Sequence, residues 1–126
     1  MKGGSVMHWE EVKSVLSMLD NPVDRLEMLM DFGSRLETVP DSAQCTEIVG
    51  CSSFVQICRD GNRFYGRADS AIVRGIVAII ISMVDGKTPE QIKNLDIANE
   101  FDKLNLNLGA GRLNGLNSMI RFLHNL

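Results

Sequence analysis

Hydrophobic residues recur at helical intervals in the first third of the chain. Between residues 8 and 20 they fall three or four positions apart, which predicts an amphipathic helix. A second helix is predicted to begin after Asn21, a good capping residue, with Pro22 in the first helical position. We expect Pro40 to end this second helix, because proline cannot continue a helical ladder.

The pattern then changes to the period of two that is typical of strands. Residues 41–52 are polar and rich in turn formers, which predicts a surface loop with a short extended piece. Residues 53–60 and 63–69 read as two strands. Gly61 and Asn62 lie between them, and this pair is typical of a tight turn, so a β-hairpin is predicted.

Helical spacing returns in the second half of the chain. Residues 70–84 predict a long helix with Asp69 as its N-cap, and apolar side chains lie on nearly every side of it. We therefore expect this helix to be buried on more than one face. Thr88 and Gln91 form a capping box that starts another helix. A loop rich in glycine and asparagine follows, and residues 113–126 predict a final helix.

Helices on both sides of a hairpin indicate the α+β class, with a small antiparallel sheet packed against a helical layer. The length of 126 residues fits one domain, residues 1–126.

The net charge of −3 argues against a nucleic-acid surface, which needs a basic face. The most apolar run, residues 71–84, is too short to span a membrane and contains Arg74. No apolar signal segment opens the chain, so a cytoplasmic protein is expected.

All three cysteines fall between residues 45 and 58. The C-x-x-C spacing that zinc and dithiol redox sites favour is missing, and His8 and His124 lie near opposite chain ends, so no metal site is expected. Cys58 lies in a predicted strand, where a small hydrophobic role is favoured. Cys45 lies in the polar loop as an accessible thiol, with a redox or resolving role as the less favoured alternative.

Cys51 has a different setting. Gly50 frees the backbone before it, and Ser52 and Ser53 offer hydroxyl groups and amides after it. A buried structural cysteine and an exposed reactive thiol are both compatible with this position. Composition alone favours the structural role, and a reactive role would require the thiolate form, since a free thiol has a pKa of about 8.5.

Several segments, in order from about Asn21 to the C-terminus, resemble the SufE family of sulfur-acceptor proteins. The family signature G-C-x-S-x-V-W appears as "GCSSFVQ", with Gln56 in place of the family aromatic residue. The segments "RLEMLMDFGSRLETVP", "GRADSAIVRGIVAII", "KTPEQI" and "GRLNGLNSMI" also resemble family segments. The matches fall at Gly50, Cys51, Ser53, Val55, Gly66, Asp69, Ala71, Ile72, Val73, Arg74, Gly75, Arg112, Gly115, Leu116, Met119 and Ile120.

The resemblance implies a SufE/NifU-like fold and a carrier of sulfur. In such proteins a thiolate, here Cys51, accepts sulfur from a persulfide on a pyridoxal-phosphate-dependent cysteine desulfurase of the SufS/CsdA type. The sulfur then passes to an iron–sulfur scaffold complex of the SufBCD type, and the desulfurase is stimulated. No metal or cofactor of the carrier's own is implied. Monomer and homodimer both remain open.

Supporting residues follow from the same resemblance. Gly50, Ser52 and Ser53 are expected to support the active loop. Arg67, Asp69 and Arg112 are candidates for partner docking, although surface charge or, for Asp69, a helix cap is an equally simple interpretation.

Two other functions stay open on sequence. An iron–sulfur scaffold of the NifU/IscU type would place its cysteines in separate parts of the chain, whereas here they are bunched. A thiol hydrolase would need a histidine near Cys51, and both histidines lie in peripheral segments.

Overall fold

The computed structural model describes residues 7–126. The first six residues, on which the prediction of no signal segment partly rests, lie outside this range. From the N-terminus, the helices and strands are α1 Trp9–Ser17, α2 Pro22–Ser34, β1 Gln44–Glu47, β2 Val55–Asp60, β3 Arg63–Ala68, α3 Ala71–Val84, α4 Pro89–Lys93, α5 Ile97–Asp102 and α6 Ala110–His124.

The sheet has three antiparallel strands in the order β1-β2-β3. The predicted hairpin is confirmed: Asp60 pairs with Arg63 across a two-residue turn. Gly61 has a φ of 62°, the positive value that the first position of such a turn requires. The short extended piece expected in the polar loop is β1, a four-residue edge strand whose side chains are all exposed.

The long helix α3 lies at the centre of the molecule. It packs against α2 on one side and β3 on another, with α1 and α5 also in contact, so the expected burial on several faces is confirmed. Gly75 is what allows α2 to approach, because a Cβ there would lie 2.7 Å from the Leu29 carbonyl carbon. The class α+β, a small antiparallel sheet against a helical layer, is thereby confirmed.

Several predicted boundaries are wrong. α2 ends at Ser34, well before Pro40. The N-cap of α3 is Ser70, whose hydroxyl accepts from the Val73 amide, and not Asp69. α6 begins at Ala110, so Arg112 lies inside its first turn instead of in the preceding loop.

One helix was not predicted. α5 begins after Asp96, whose carboxylate accepts from the Asn99 amide, and it buries Ile97 and Phe101. By contrast the Thr88–Gln91 capping box is confirmed, with both reciprocal hydrogen bonds present. Among residues 7–126, no helix is both long and apolar enough to cross a bilayer.

Candidate functional site

The loop that carries Cys51 is the connection between β1 and β2. The Ile48 amide donates to the Val55 carbonyl at 2.8 Å, which extends the ladder one pair beyond the strands. Ile48 and Val55 are both buried, so the two ends of the loop are fixed in the core. Residues 49–54 lie outside the ladder, and Val49 is 88% exposed at their start. The site is therefore a short loop with anchored ends.

Gly50 fits this loop for two independent reasons. Its φ is 99°, in the region that favours glycine. A Cβ at this position would also lie 2.5 Å from the Ser118 hydroxyl oxygen on α6. Ser118 is buried; its hydroxyl donates to the Asn114 carbonyl and accepts from the Arg121 guanidinium. The loop backbone thus lies directly on a polar, hydrogen-bonded position of α6.

The Cys51 thiol lies against the same helix. Its Sγ is 3.8 Å from the Gly115 carbonyl oxygen, to which the thiol donates a weak hydrogen bond. A Cβ at Gly115 would lie 3.2 Å from Sγ, so the missing side chain makes room for the sulfur. A cavity of about 20 Å³ adjoins the thiol, which is enough for about one water-sized atom. Its lining residues are Ser52, Ser53, Val55, Val73, Ile76, Gly111, Arg112, Gly115 and Met119.

The electrostatic setting keeps this thiol protonated. Burial raises the pKa of Cys51 above its usual value, since desolvation disfavours the thiolate. Arg112 lines the cavity, but its Nη1 donates to the Leu108 carbonyl at 3.4 Å. In this position Cys51 is a half-buried thiol, and movement of its sulfur into solvent would favour the thiolate that attacks a partner.

The predicted site residues fall into two groups. Gly50, Ser52, Ser53 and Arg112 surround Cys51. Arg67 and Asp69 instead line a separate groove with Phe54, Val39 and Arg74. The Asp69 amide donates to the Phe54 carbonyl at 3.3 Å, so residue 69 contacts the end of the loop through its backbone.

Gln56, which replaces the family aromatic residue, lies on the outer face of the sheet. Its Oε1 accepts from Arg67 Nη1 at 2.9 Å. The side chain that departs from the family pattern and a side chain proposed for docking are therefore hydrogen-bonded to each other. The altered local packing expected from the sequence takes the form of this polar pair.

Three residues of α6 that contact the loop were not singled out as site residues: Gly115, Ser118 and Met119. Gly115 carried a usable signal, because a glycine inside a helix costs about 1 kcal/mol relative to alanine and calls for a packing reason. Ser118 carried none, since a serine in a helix is commonly solvated.

The interpretations of the other two cysteines were wrong. Cys45 and Cys58 form a disulfide, and Cys51 is the free cysteine among residues 7–126. Register explains the pairing, because Cys45 of β1 lies directly opposite Cys58 of β2. The pairing is hidden in the sequence because residues 44–47 carry a loop-like pattern, which gives Cys45 no predicted strand position opposite Cys58.

The described part of the chain contains no group of three or more histidine, cysteine or acidic side chains that could hold a metal ion. His124 is engaged elsewhere, with its Nε2 at 2.9 Å from the Leu95 carbonyl oxygen. Nothing in residues 7–126 therefore favours the iron–sulfur scaffold alternative, nor does it bring a histidine to Cys51 as a hydrolase would need.

Known proteins are similar to this chain over nearly its whole length. The family model SufE, described as an Fe-S metabolism associated domain, matches residues 10–126. An uncharacterized SufE-like protein of Rhizobium meliloti is 31% identical over 124 residues, covering 89% of each chain. The sulfur acceptor protein CsdE of Escherichia coli is 30% identical over 125 residues, covering 92% of this chain and 85% of that protein.

A solution structure of a hypothetical protein from Thermus thermophilus also superposes on this one. Its TM-score is 0.72 over 93% of this chain and 90% of that chain, at 16% sequence identity, which shows a shared fold alone. The family model, however, matches a segment that contains the Cys51 loop, the strands β1 and β2 that the loop connects, and the helix α6 that it contacts. On that match and on the two relatives, the chain belongs to the SufE family.

Proposed function

We propose that this protein is a sulfur acceptor of iron–sulfur metabolism, with Cys51 as its acceptor. The observation that carries the proposal is the geometry of one thiol: a free cysteine on a short anchored loop, next to a cavity for about one atom. The name of the Escherichia coli relative, sulfur acceptor protein, agrees with this role.

The transfer is a thiol–disulfide-type exchange. The Cys51 thiol gives up its proton, and its thiolate attacks the outer sulfur of a persulfide on a partner cysteine desulfurase. The sulfur–sulfur bond of the partner breaks, and the partner's cysteine leaves as a thiolate. Cys51 then carries the sulfur as its own persulfide, which an iron–sulfur scaffold accepts in a second exchange of the same kind.

In the structure the loop is closed, with Cys51 against α6. This position suits the stage in which Cys51 carries the accepted sulfur. With Sγ against Gly115, one additional sulfur atom fits the adjoining cavity, where Met119 and Val73 exclude water and other thiols. Before sulfur is accepted, the raised pKa of the half-buried Cys51 thiol keeps it a poor nucleophile toward other partners. Acceptance and delivery take place with the loop extended, so the loop alternates between two positions.

The partner is a pyridoxal-phosphate-dependent cysteine desulfurase, which the acceptor stimulates by removing its persulfide. Residues 1–126 act as a single SufE-like domain in the cytoplasm, with no metal or cofactor of their own. Docking takes place on the side of the molecule that carries the loop, where the loop residue Val49 exposes a large apolar side chain and where Leu113, next to Arg112 in α6, exposes another. Arg67 and Asp69 offer a second docking area in their separate groove, which Phe54 at the end of the loop also lines.

The test is intact-protein mass spectrometry after incubation with an active cysteine desulfurase and free cysteine. The wild type and a Cys45→Ser/Cys58→Ser variant are expected to gain the mass of one sulfur atom, while Cys51→Ser gains none. Sulfide release by the desulfurase should be faster with the wild type than with Cys51→Ser. That difference would link the sulfur adduct on Cys51 to stimulation of the desulfurase.

An adduct on Cys51→Ser would refute Cys51 as the acceptor. Absence of any adduct, with CsdA-type and SufS-type desulfurases both shown to be active, would refute the carrier role. Iron-dependent visible absorbance after reconstitution would instead support the scaffold function.

A further inference from the structure

The disulfide encloses the candidate acceptor loop. Cys45 and Cys58 are separated by 13 positions, and Cys51 lies near the middle of the ring that they close. Their Cα atoms are 4.0 Å apart, on directly opposed positions of β1 and β2. The bond therefore joins the strand that enters the loop to the strand that leaves it.

Apart from this bond, β1 is held by its ladder with β2 and, just before its start, by the Ser42 hydroxyl, which donates to the Asp60 carboxylate at 2.6 Å. β1 has four residues, all exposed, and it pairs with β2 alone at the edge of the sheet. A strand of this length with no buried face contributes little packing, since sheet stability comes mainly from side-chain burial. Beyond β1, the entering end of the loop is held by the buried Ile48 and by the contact of Gly50 with Ser118.

We propose that Cys45 and Cys58 are a reversible thiol–disulfide pair whose redox state controls how far the Cys51 loop leaves α6. The bond is accessible from one side, because Cys45 is exposed while Cys58 is fully buried. A disulfide that is half exposed in this way presents one sulfur to an attacking thiolate and keeps the other as the leaving group. In a reducing cytoplasm, moreover, protein disulfides are usually transient and regulatory.

The co-substrate is a small thiol of the glutathione class. Its thiolate attacks the Cys45 sulfur, the bond to Cys58 breaks, and Cys58 leaves as a thiolate that takes up a proton. A second glutathione thiolate attacks the mixed disulfide, releases Cys45, and forms glutathione disulfide. One protein disulfide and two glutathione molecules thus give two protein thiols and one glutathione disulfide, and oxidation is the reverse.

The functional consequence rests on the proposed acceptor role. With the bond closed, β1 stays paired and the loop moves only between Ile48 and Val55. With the bond open, β1 frays from the edge and its residues lengthen the mobile segment, so Cys51 extends more often and further. The oxidised protein is the restrained state, and the reduced protein is the one that accepts sulfur readily.

The first experiment needs no desulfurase. The protein is equilibrated in buffers of reduced and oxidised glutathione at varied ratio, and its thiols are counted by alkylation and mass. Cys51 alkylation by iodoacetamide is then timed in both states. Digestion after Glu47 and after Phe54 places the three cysteines on separate peptides. We expect Cys51 to react about tenfold more slowly in the oxidised protein, and hydrogen exchange at residues 44–54 to slow with it.

The Cys45→Ser/Cys58→Ser variant is the matched control. Its Cys51 should be alkylated as fast as Cys51 of the reduced wild type. This rate should not depend on the ratio of reduced to oxidised glutathione. Should this variant fold poorly, the two redox states of the wild type remain a complete comparison. A desulfurase is added last, and the initial rate of sulfur gain is expected to follow the alkylation rate.

Two results would overturn the inference. One is a Cys45–Cys58 bond that glutathione does not reduce in the folded protein, which would make it a structural crosslink. The other is equal Cys51 alkylation in oxidised and reduced protein. A redox-dependent alkylation rate with no sulfur gain from any desulfurase would uphold the switch and refute the proposed function, so the two failures are distinguishable.

Discussion

Replacing Gly115 by alanine tests whether α6 holds the Cys51 thiol. The new Cβ would lie 3.2 Å from Sγ, and 3.7 Å from the Cys51 Cβ. The first distance is a few tenths of an ångström inside ordinary contact, whereas the second is ordinary contact. The sulfur must therefore shift, at a cost of about 0.5–1 kcal/mol for a side chain pushed off its rotamer.

The same substitution favours the helix. Alanine within a helix is more favourable than glycine by about 1 kcal/mol. The two effects act on different equilibria, because the helix gain applies to folding and the clash applies only to the closed loop. We expect the free energy of unfolding to be unchanged or to rise by up to about 1 kcal/mol. The closed loop, by contrast, should lose about 0.5–1 kcal/mol, which raises the extended population roughly two- to fivefold.

The assay is the rate of Cys51 alkylation by iodoacetamide in the oxidised protein, paired with urea denaturation. Gly111→Ala is the matched control, because Gly111 lies on the same helix and lines the same cavity, but its Cβ would meet nothing within 4 Å. Gly115→Ala should speed alkylation roughly two- to fivefold, and Gly111→Ala should leave it unchanged. Unaltered alkylation in Gly115→Ala, or a marked loss of stability, would refute the packing of the thiol on α6.

Three further predictions follow from other contacts. Gly75→Ala should destabilise the fold by about 2–3 kcal/mol in urea denaturation, because the Leu29 backbone blocks its Cβ; a neutral result contradicts this. Arg25→Met should cost about 2–3 kcal/mol, since the guanidinium donates to the carbonyls of Leu16, Leu19 and Leu104. Arg35→Met, which removes an exposed ion pair with Asp31 at the C-terminal end of the same helix, is its control and should cost less than about 1 kcal/mol. Burial raises the pKa of Cys51, so this thiol favours folding below the ordinary thiol pKa of about 8.5, and its contribution is lost as the pH rises through the folded-state pKa. The pH midpoint for Cys51 alkylation should accordingly lie higher in the native protein than in urea, and an equal or lower native midpoint would contradict it.

The parts of the fold that sequence predicts well are those set by local chemistry. Asn21 and Thr88 cap their helices as expected, and the turn at Gly61 closes the hairpin. Some failures are local, such as the Ser70 cap and the missed helix α5, but the failure at β1 comes from a tertiary contact. β1 carries no apolar alternation, because neither of its faces is buried, so only its pairing with β2 makes it a strand.

The same limit applies to the site. Cys51 and Gly50 were found through their resemblance to a family signature, and the structure gives that signature a physical basis in the positive φ of Gly50 and its contact with Ser118. The disulfide was missed for a related reason. Its partners are close only because of strand register, and spacing along the chain carries no information on register.

The fixed ends of the Cys51 loop also define what a partner must offer. Since Ile48 and Val55 are neighbours in the sheet, the loop between them runs out and back. A chain of this length extends at most about 3.3–3.6 Å per residue, so its tip projects about 10 Å beyond the sheet. If the protein accepts sulfur as proposed, a donor must bring its persulfide within about 10 Å of the surface while the disulfide is closed. A desulfurase cysteine that lies deep in a narrow active site would be out of reach of Cys51, whereas one near the partner's surface would be within reach.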